Sequence, residues 1–185
     1  MCGIVGYTGY KSAVPLVIDC LKRLEYRGYD SAGIAVREEK GINIIRAVGK
    51  LNNLIEKLSH LKLKATTGIG HTRWATHGKP SEINAHPHKA EKIVVVHNGI
   101  IENYLAIKNK LIALGQEFKS DTDTEVIAHL ISVYYNKFKD MKKAILKSTK
   151  ELKGSFAVAI LNEDEPETIY LIKHESPLVI GFGNG

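Results

Sequence analysis

The sequence predicts an α+β domain in which antiparallel sheets carry helices on their outer faces. Short runs rich in β-branched residues come in groups, while the amphipathic segments between Glu102 and Leu152 follow one another without a strand between them. Strict βαβ alternation, the sign of a parallel sheet, is absent. With 185 residues, the chain is of single-domain size and hides roughly 70% of its unfolded surface on folding, enough for its own core.

The elements follow in order. Cys2 to Tyr7 reads as a strand ending at Gly9, and an amphipathic helix then extends to about Tyr26. Gly33 to Arg37 and Ile42 to Val48 are strands, and Leu51 to Leu58 suits a helix. Thr67 to Trp74 is another strand, leaving into a polar loop from Ala75 to Lys89. Ile93 to His97 reads as a buried strand closed by an Asn98-Gly99 turn. A helix from about Glu102 to Leu114 stops at Gly115. A second opens on Thr122-Asp123-Thr124-Glu125, read as a capping box, and a third runs from Asp140 to Leu152 with Gly154 as its cap. Strands at Ser155 to Leu161 and Thr168 to Lys173 end the pattern.

Composition excludes several classes. The longest apolar run, Phe156 to Leu161, has six residues, far short of a membrane span, and no signal-peptide pattern follows Met1. A cytoplasmic protein without membrane association is expected. The net charge of +6 raises the possibility of nucleic acid, but lysines such as Lys108, Lys110, Lys142, Lys143 and Lys147 are scattered over helix faces. No arginine stripe or aromatic signature accompanies them, so no nucleic-acid partner is expected. With only Cys2 and Cys20, a disulfide framework and a four-thiolate zinc site are excluded. Cys20 lies among Val14, Val17, Ile18 and Leu21 and is expected in the core. Histidines 71, 77, 86, 88 and 97 suggest a metal, but no ligand-spaced helix supports one; hydrogen-bonded structural histidines, with no metal and no cofactor, are the reading.

Four segments can carry chemistry. Removal of Met1 would leave Cys2 with a thiol and an α-amine, a nucleophile and a base on one residue. Asn98 and Gly99 can offer a side-chain amide and a backbone N–H at one point, as an oxyanion hole does, or they can form a simple turn. Arg73, beside Trp74, suits a carboxylate clamp. Asp123 either favours its helix terminus or binds an ammonium group.

The segments Cys2-Gly3-Ile4-Val5-Gly6, Glu25 to Gly33, His71 to Gly78 and His97 to Asn103, followed by Asp121 to Glu125 and Ser176 to Gly181, together resemble the class II glutamine amidotransferase domain. The likeness covers nearly the whole chain. It implies an N-terminal-nucleophile hydrolase fold, two stacked antiparallel sheets between helical layers, over residues 1–185. It also implies roles. Cys2 would attack the side-chain amide of L-glutamine, with Asn98 and Gly99 stabilising the oxyanion. Arg27 and Gly28 would line the nucleophile's surroundings, and Trp74 would close the path by which ammonia leaves. Arg73 would hold the glutamine carboxylate and Asp123 its ammonium, with Thr76 and His77 on a closing loop; His86 matches the pattern without an assigned role. The ammonia would convert fructose-6-phosphate to glucosamine-6-phosphate on an ammonia-accepting isomerase/synthase domain expected beyond Gly185, through which the full-length enzyme would form a homo-oligomer. A different amidotransferase, a non-glutamine amidase of the same type and a basic binding module are the competing readings.

Overall fold

The computed structural model describes residues 2–74 and 78–183; Met1, Ala75, Thr76, His77, Asn184 and Gly185 lie outside them. Two four-stranded antiparallel sheets are stacked between helices among the described residues. The first, in order β1-β4-β2-β3, contains β1 (Gly3–Thr8), β2 (Ser31–Glu38), β3 (Gly41–Val48) and β4 (Thr67–Arg73). The second, in order β5-β6-β7-β8, contains β5 (His88–Ala90), β6 (Ile93–Gly99), β7 (Phe156–Asn162) and β8 (Tyr170–His174). Helices α1 (Ala13–Leu24) and α2 (Leu51–Ser59) cover the first sheet; α3 (Tyr104–Ala113), α4 (Glu125–Phe138) and α5 (Met141–Thr149) cover the second.

Alternation along each strand sorts the core into three layers. Ile34 and Val36 of β2 pack with Val17, Leu21, Leu51 and Leu54 of the helices outside. Ala35, between them, turns inward to meet Ile69, Val94, Val96, Ala159 and Leu161 in the gap between sheets. Ile93 and Val95 of β6 face the other way, onto Ile127, Ile131 and Ile145. The same parity aims the polar residues. Ile69 puts His71 and Arg73 of β4 on the inward face, and Val94 and Val96 do the same for Asn98 of β6. Ile4 packs against the inter-sheet layer and gives Cys2, two residues before it, the same sense. All four chemistry-bearing residues therefore emerge at one end of the sandwich.

Glycine permits the close approaches this end requires. A Cβ on Gly70 would lie 2.6 Å from Val17, so its absence lets α1 sit flat on β4. A Cβ on Gly28 would lie 2.8 Å from the Arg73 carbonyl carbon and 3.0 Å from the Trp74 nitrogen. The segment after α1 can thus lie against the end of β4.

Four local expectations are corrected. Cys20 is exposed, not in the core: the buried stripe of α1 is Ala13, Val17, Ile18 and Leu21, and at 3.6 residues per turn Cys20 falls about a quarter-turn to its side. Asn98-Gly99 is no simple turn but the paired end of β6, opposite Ala157 and Phe156. The capping box does not form, because the helix begins at Glu125. The Glu125 carboxylate instead accepts the amides of Lys119 at 3.0 Å and Ser120 at 2.7 Å, folding the preceding loop over the helix start. Gly154 does not cap α5, which ends at Thr149; its φ of +115° lets it pass Ile100, whose oxygen a Cβ would meet at 2.2 Å. The polar loop before β6 also contains β5, a short strand the sequence reading did not separate.

Candidate active site

Cys2 lines a cavity of about 670 Å³, a size suited to a small-molecule site. Arg27, Arg73, Trp74, Asn98, Gly99 and Asp123 share its lining with Cys2. The cavity thus gathers residues from β1, β4, β6, the turn after α1 and the loop before α4. The aliphatic part of its wall includes Leu24, Ala157 and Val179.

The nucleophile is held by backbone. The Trp74 N–H donates to Cys2 Sγ at 3.2 Å, and the thiol faces the Trp74 carbonyl at 3.5 Å. Gly28 lets the Arg73-Trp74 peptide lie where this is possible. Burial pushes the Cys2 thiol up from its ordinary value, ahead of the opposing hydrogen bond from Trp74. Near neutral pH the group is a thiol, and a nearby base must take its proton for it to act. Trp74 itself is half-exposed and meets Tyr29 edge-on, with ring centres 5.4 Å apart.

On β6, Asn98 donates from Nδ2 to the Cys2 carbonyl at 3.2 Å, while its Oδ1 lies 3.0 Å from His71 Nε2. Gly99 has φ of +122°, and a Cβ there would meet the Ser155 oxygen at 2.0 Å. Glycine alone fits that position beside the neighbouring chain.

Two buried, opposite charges border the cavity. Arg73 is buried, with a nitrogen 3.8 Å from Asp30 and another donating to the Gly78 carbonyl at 3.1 Å. Asp123 is also buried, and its Oδ2 accepts the Ile101 amide at 2.8 Å. Those contacts fix the headings of both side chains. A cation and an anion held on the wall of one pocket suit a zwitterionic ligand.

His71, His86, His88 and His97 are buried at this wall, His86 and His97 within its lining. His86 Nδ1 accepts the His97 amide at 3.3 Å, and its Nε2 lies 3.2 Å from Thr124 Oγ1. Thr124 also meets His97 Nδ1 at 2.9 Å, and His88 lies 3.2 Å from Thr122. Burial lowers the pKa of His71 to about 3 and of His97 to about 4, and depresses His86 and His88 likewise, so all four are neutral. No cluster with the makings of a metal site occurs among the described residues. His86 borders the cavity with both ring nitrogens already engaged. Thr76 and His77 lie outside the described residues.

The sequence reading missed Asp30, His71 and Thr124. Alternation from Ile69 through His71 to Arg73 was the signal for His71; Asp30 and Thr124 carried none beyond their place in the motifs. A further cleft of about 950 Å³ lies at the opposite end of the sandwich, among Lys40, Lys62, Lys64, Glu163 and Glu167. It has mixed charge, and its lining holds no cysteine, serine or histidine.

Residues 71–184 match the family model described as a glutamine amidotransferase domain. The chain belongs to the class II glutamine amidotransferase domain family. Over its full length it is 50% identical to the glutamine–fructose-6-phosphate aminotransferase [isomerizing] of Thermococcus kodakarensis and 53% identical to that of Aquifex aeolicus. It spans 31% of the length of each. Among solved structures, the glutamine phosphoribosylpyrophosphate amidotransferase of B. subtilis superimposes with a TM-score of 0.75 and 28% identity, over 88% of this chain and 35% of that one. A glutamine aminotransferase class-II domain protein from Silicibacter pomeroyi, 19% identical, shares the fold with a TM-score of 0.57, over 81% of this chain and 71% of that one. The fold is that of the N-terminal-nucleophile amidotransferases.

Proposed function

We propose that this chain is the glutaminase domain of a glutamine–fructose-6-phosphate aminotransferase, with Cys2 as nucleophile. The observation that carries the reading is the grouping of Cys2, Asn98, Gly99, Arg73 and Asp123 around one cavity. L-Glutamine at neutral pH is a zwitterion; Arg73 suits its carboxylate and Asp123 its ammonium, leaving the side-chain amide to reach Cys2. Trp74 would lie over the route by which ammonia leaves.

The reaction divides into two halves. Once Met1 is removed, the Cys2 α-amine, with a reference pKa of about 7.7–8.0, can take the thiol proton. Sγ then bonds to the amide carbon, and the carbonyl electrons move to oxygen. Asn98 Nδ2–H and the Gly99 N–H face that oxyanion. Collapse breaks the C–N bond, and the proton held by the amine goes to the leaving nitrogen, giving ammonia and a thioester. Water, deprotonated by the same amine, hydrolyses the thioester to glutamate. Arg27 and Gly28 support the nucleophile's surroundings, Gly28 by its close approach to the Trp74 peptide.

The ammonia would pass to a synthase domain that aminates fructose-6-phosphate to glucosamine-6-phosphate, in the cytoplasm, in an enzyme that oligomerises through that domain. Support comes from the full-length similarity to the aminotransferases, of which this chain spans the smaller part. No helix among the described residues is long and apolar enough to cross a membrane.

The test is glutamate release by protein lacking Met1, with labelling by a glutamine-mimicking electrophile mapped by mass spectrometry. Label on Cys2, protected by glutamine, is expected. Protein retaining Met1 should be nearly inactive, because its Cys2 nitrogen is a peptide nitrogen. Equal activity of the two forms would overturn the mechanism.

A further inference from the structure

His71 is fully buried on the inward face of β4, opposite Gly33 of β2. Its Nε2 lies 3.0 Å from two oxygens, the His97 carbonyl and Asn98 Oδ1. Two acceptors at one nitrogen require that nitrogen to carry the proton, and a neutral ring has only one N–H. His71 is therefore the Nε2–H tautomer, with Nδ1 bare and without a hydrogen-bond partner. The heading of the Asn98 amide is fixed from its other side as well. Its Nδ2 lies against the Cys2 carbonyl, where a rotated amide would set two carbonyl oxygens 3.2 Å apart.

The ring has little freedom to leave this position. It stacks on His86 with centres 4.0 Å apart and planes at 27°. His86 is in turn pinned by the His97 amide and Thr124. A Cβ on Gly33 would lie 2.2 Å from the His86 oxygen, so that glycine lets the stack close against β2.

We propose that His71 is a positioning residue for the oxyanion donor: its Nε2–H occupies Asn98 Oδ1 and so keeps the Asn98 nitrogen turned toward Cys2. The proposal rests on the glutaminase reading. Without the His71 proton, only the contact with the Cys2 carbonyl holds the Asn98 amide, and a half-turn would present oxygen to a developing negative charge, which repels it. Neutral in this tautomer or protonated, the ring carries an Nε2–H, so the donor persists throughout the pH range in which an α-amine can act as base.

The experiment uses Met1-processed protein carrying His71→Phe, His71→Gln, Asn98→Ala, and His71→Phe with Asn98→Ala. His71→Phe keeps a ring against His86 but has no donor; kcat should fall about 10-fold or more, and by no more than the roughly 10²–10³ expected for losing the oxyanion donor itself. KM for glutamine should stay within about two-fold, since the zwitterion contacts are untouched. His71→Gln, which restores an N–H, should recover most of the loss. In the Asn98→Ala background, His71→Phe should cost little more, because residues acting through one group are non-additive. Independent multiplicative losses, or no loss of kcat, overturn the proposal. If His71→Phe does not fold, His71→Leu provides the same comparison. A readout independent of activity is the imidazole nitrogen spectrum: His71 should show Nε2 protonated and Nδ1 bare, and the opposite tautomer refutes the assignment. Absence of both glutamate release and Cys2 labelling in unsubstituted protein would instead refute the glutaminase reading, while the tautomer result still judges the hydrogen bond.

Discussion

The Asn98 side chain spans the gap between the two sheets, its Nδ2 3.2 Å from the Cys2 carbonyl and its Oδ1 3.0 Å from His71. Asn98 is thereby oriented before substrate arrives, and preorganised donors are those that contribute most to a transition state. Asn98→Ala should lower kcat by about 10²–10³ with KM nearly unchanged. Steady-state glutamate release decides this; a change confined to KM would assign Asn98 to substrate binding instead.

Arg73 is held in place by Asp30 and the Gly78 carbonyl, and it presents a planar charge to the cavity. Lysine supplies the charge without the two-pronged geometry. Arg73→Lys should raise KM for glutamine by about 10- to 100-fold, equivalent to about 1.5–3 kcal/mol of charge-assisted hydrogen bonding, and change kcat less. Glutamine amide analogues lacking the α-carboxylate should not distinguish the two proteins.

Gly99 combines φ of +122° with a Cβ position 2.0 Å from the Ser155 oxygen. Alanine there must break the pairing of β6 with β7 or strain both. Gly99→Ala should destabilise the fold by about 2 kcal/mol or more. Thermal denaturation would read this as a fall of about 2–4 °C for each kcal/mol. An unchanged melting temperature would show that the strand end gives way at no cost.

The four buried histidines make stability depend on pH. Burial holds their native pKa values below the ordinary range, to about 3 for His71 and about 4 for His97, whereas the unfolded chain protonates near 6.5. Below about pH 6.5 the unfolded state therefore binds more protons than the native state, and stability falls as pH drops toward the native values. The carboxyl of Glu125, which its own burial would raise, is held low by the Lys119 and Ser120 amides, the Ser120 hydroxyl and nearby His129, and extends the loss at lower pH. Urea midpoints should be level above about pH 7 and decline steadily from about pH 6.5 to about pH 4. A flat profile over that window would mean that the histidines titrate in the native state.

Much of the fold was legible in the sequence where local physics controls it. The β-branched run before His97 in β6 and the grouped helices α3, α4 and α5 gave the element types correctly. Errors fell where a residue's partner is distant in the chain. Cys20 was assigned by its residue type, but the face that α1 turns to β4 excludes it. Thr122 and Glu125 fit a capping box, yet Ser120 and His88 draw the threonine hydroxyl, and the Lys119 and Ser120 amides draw the carboxylate.

By itself, the sequence determined the chemistry available: a cysteine that follows Met1, an Asn-Gly pair, one arginine and one aspartate of opposite charge, and the motifs that relate the chain to its family. Tertiary structure decided what these groups face. Strand parity and antiparallel register set Cys2, His71 and Arg73 on the inner side of one sheet and Asn98 on the inner side of the other, and only the stacking of two sheets could bring Oδ1 of Asn98 to Nε2 of His71. Hydrogen bonds act over about 3 Å, a distance that sequence spacing does not encode for residues on different sheets.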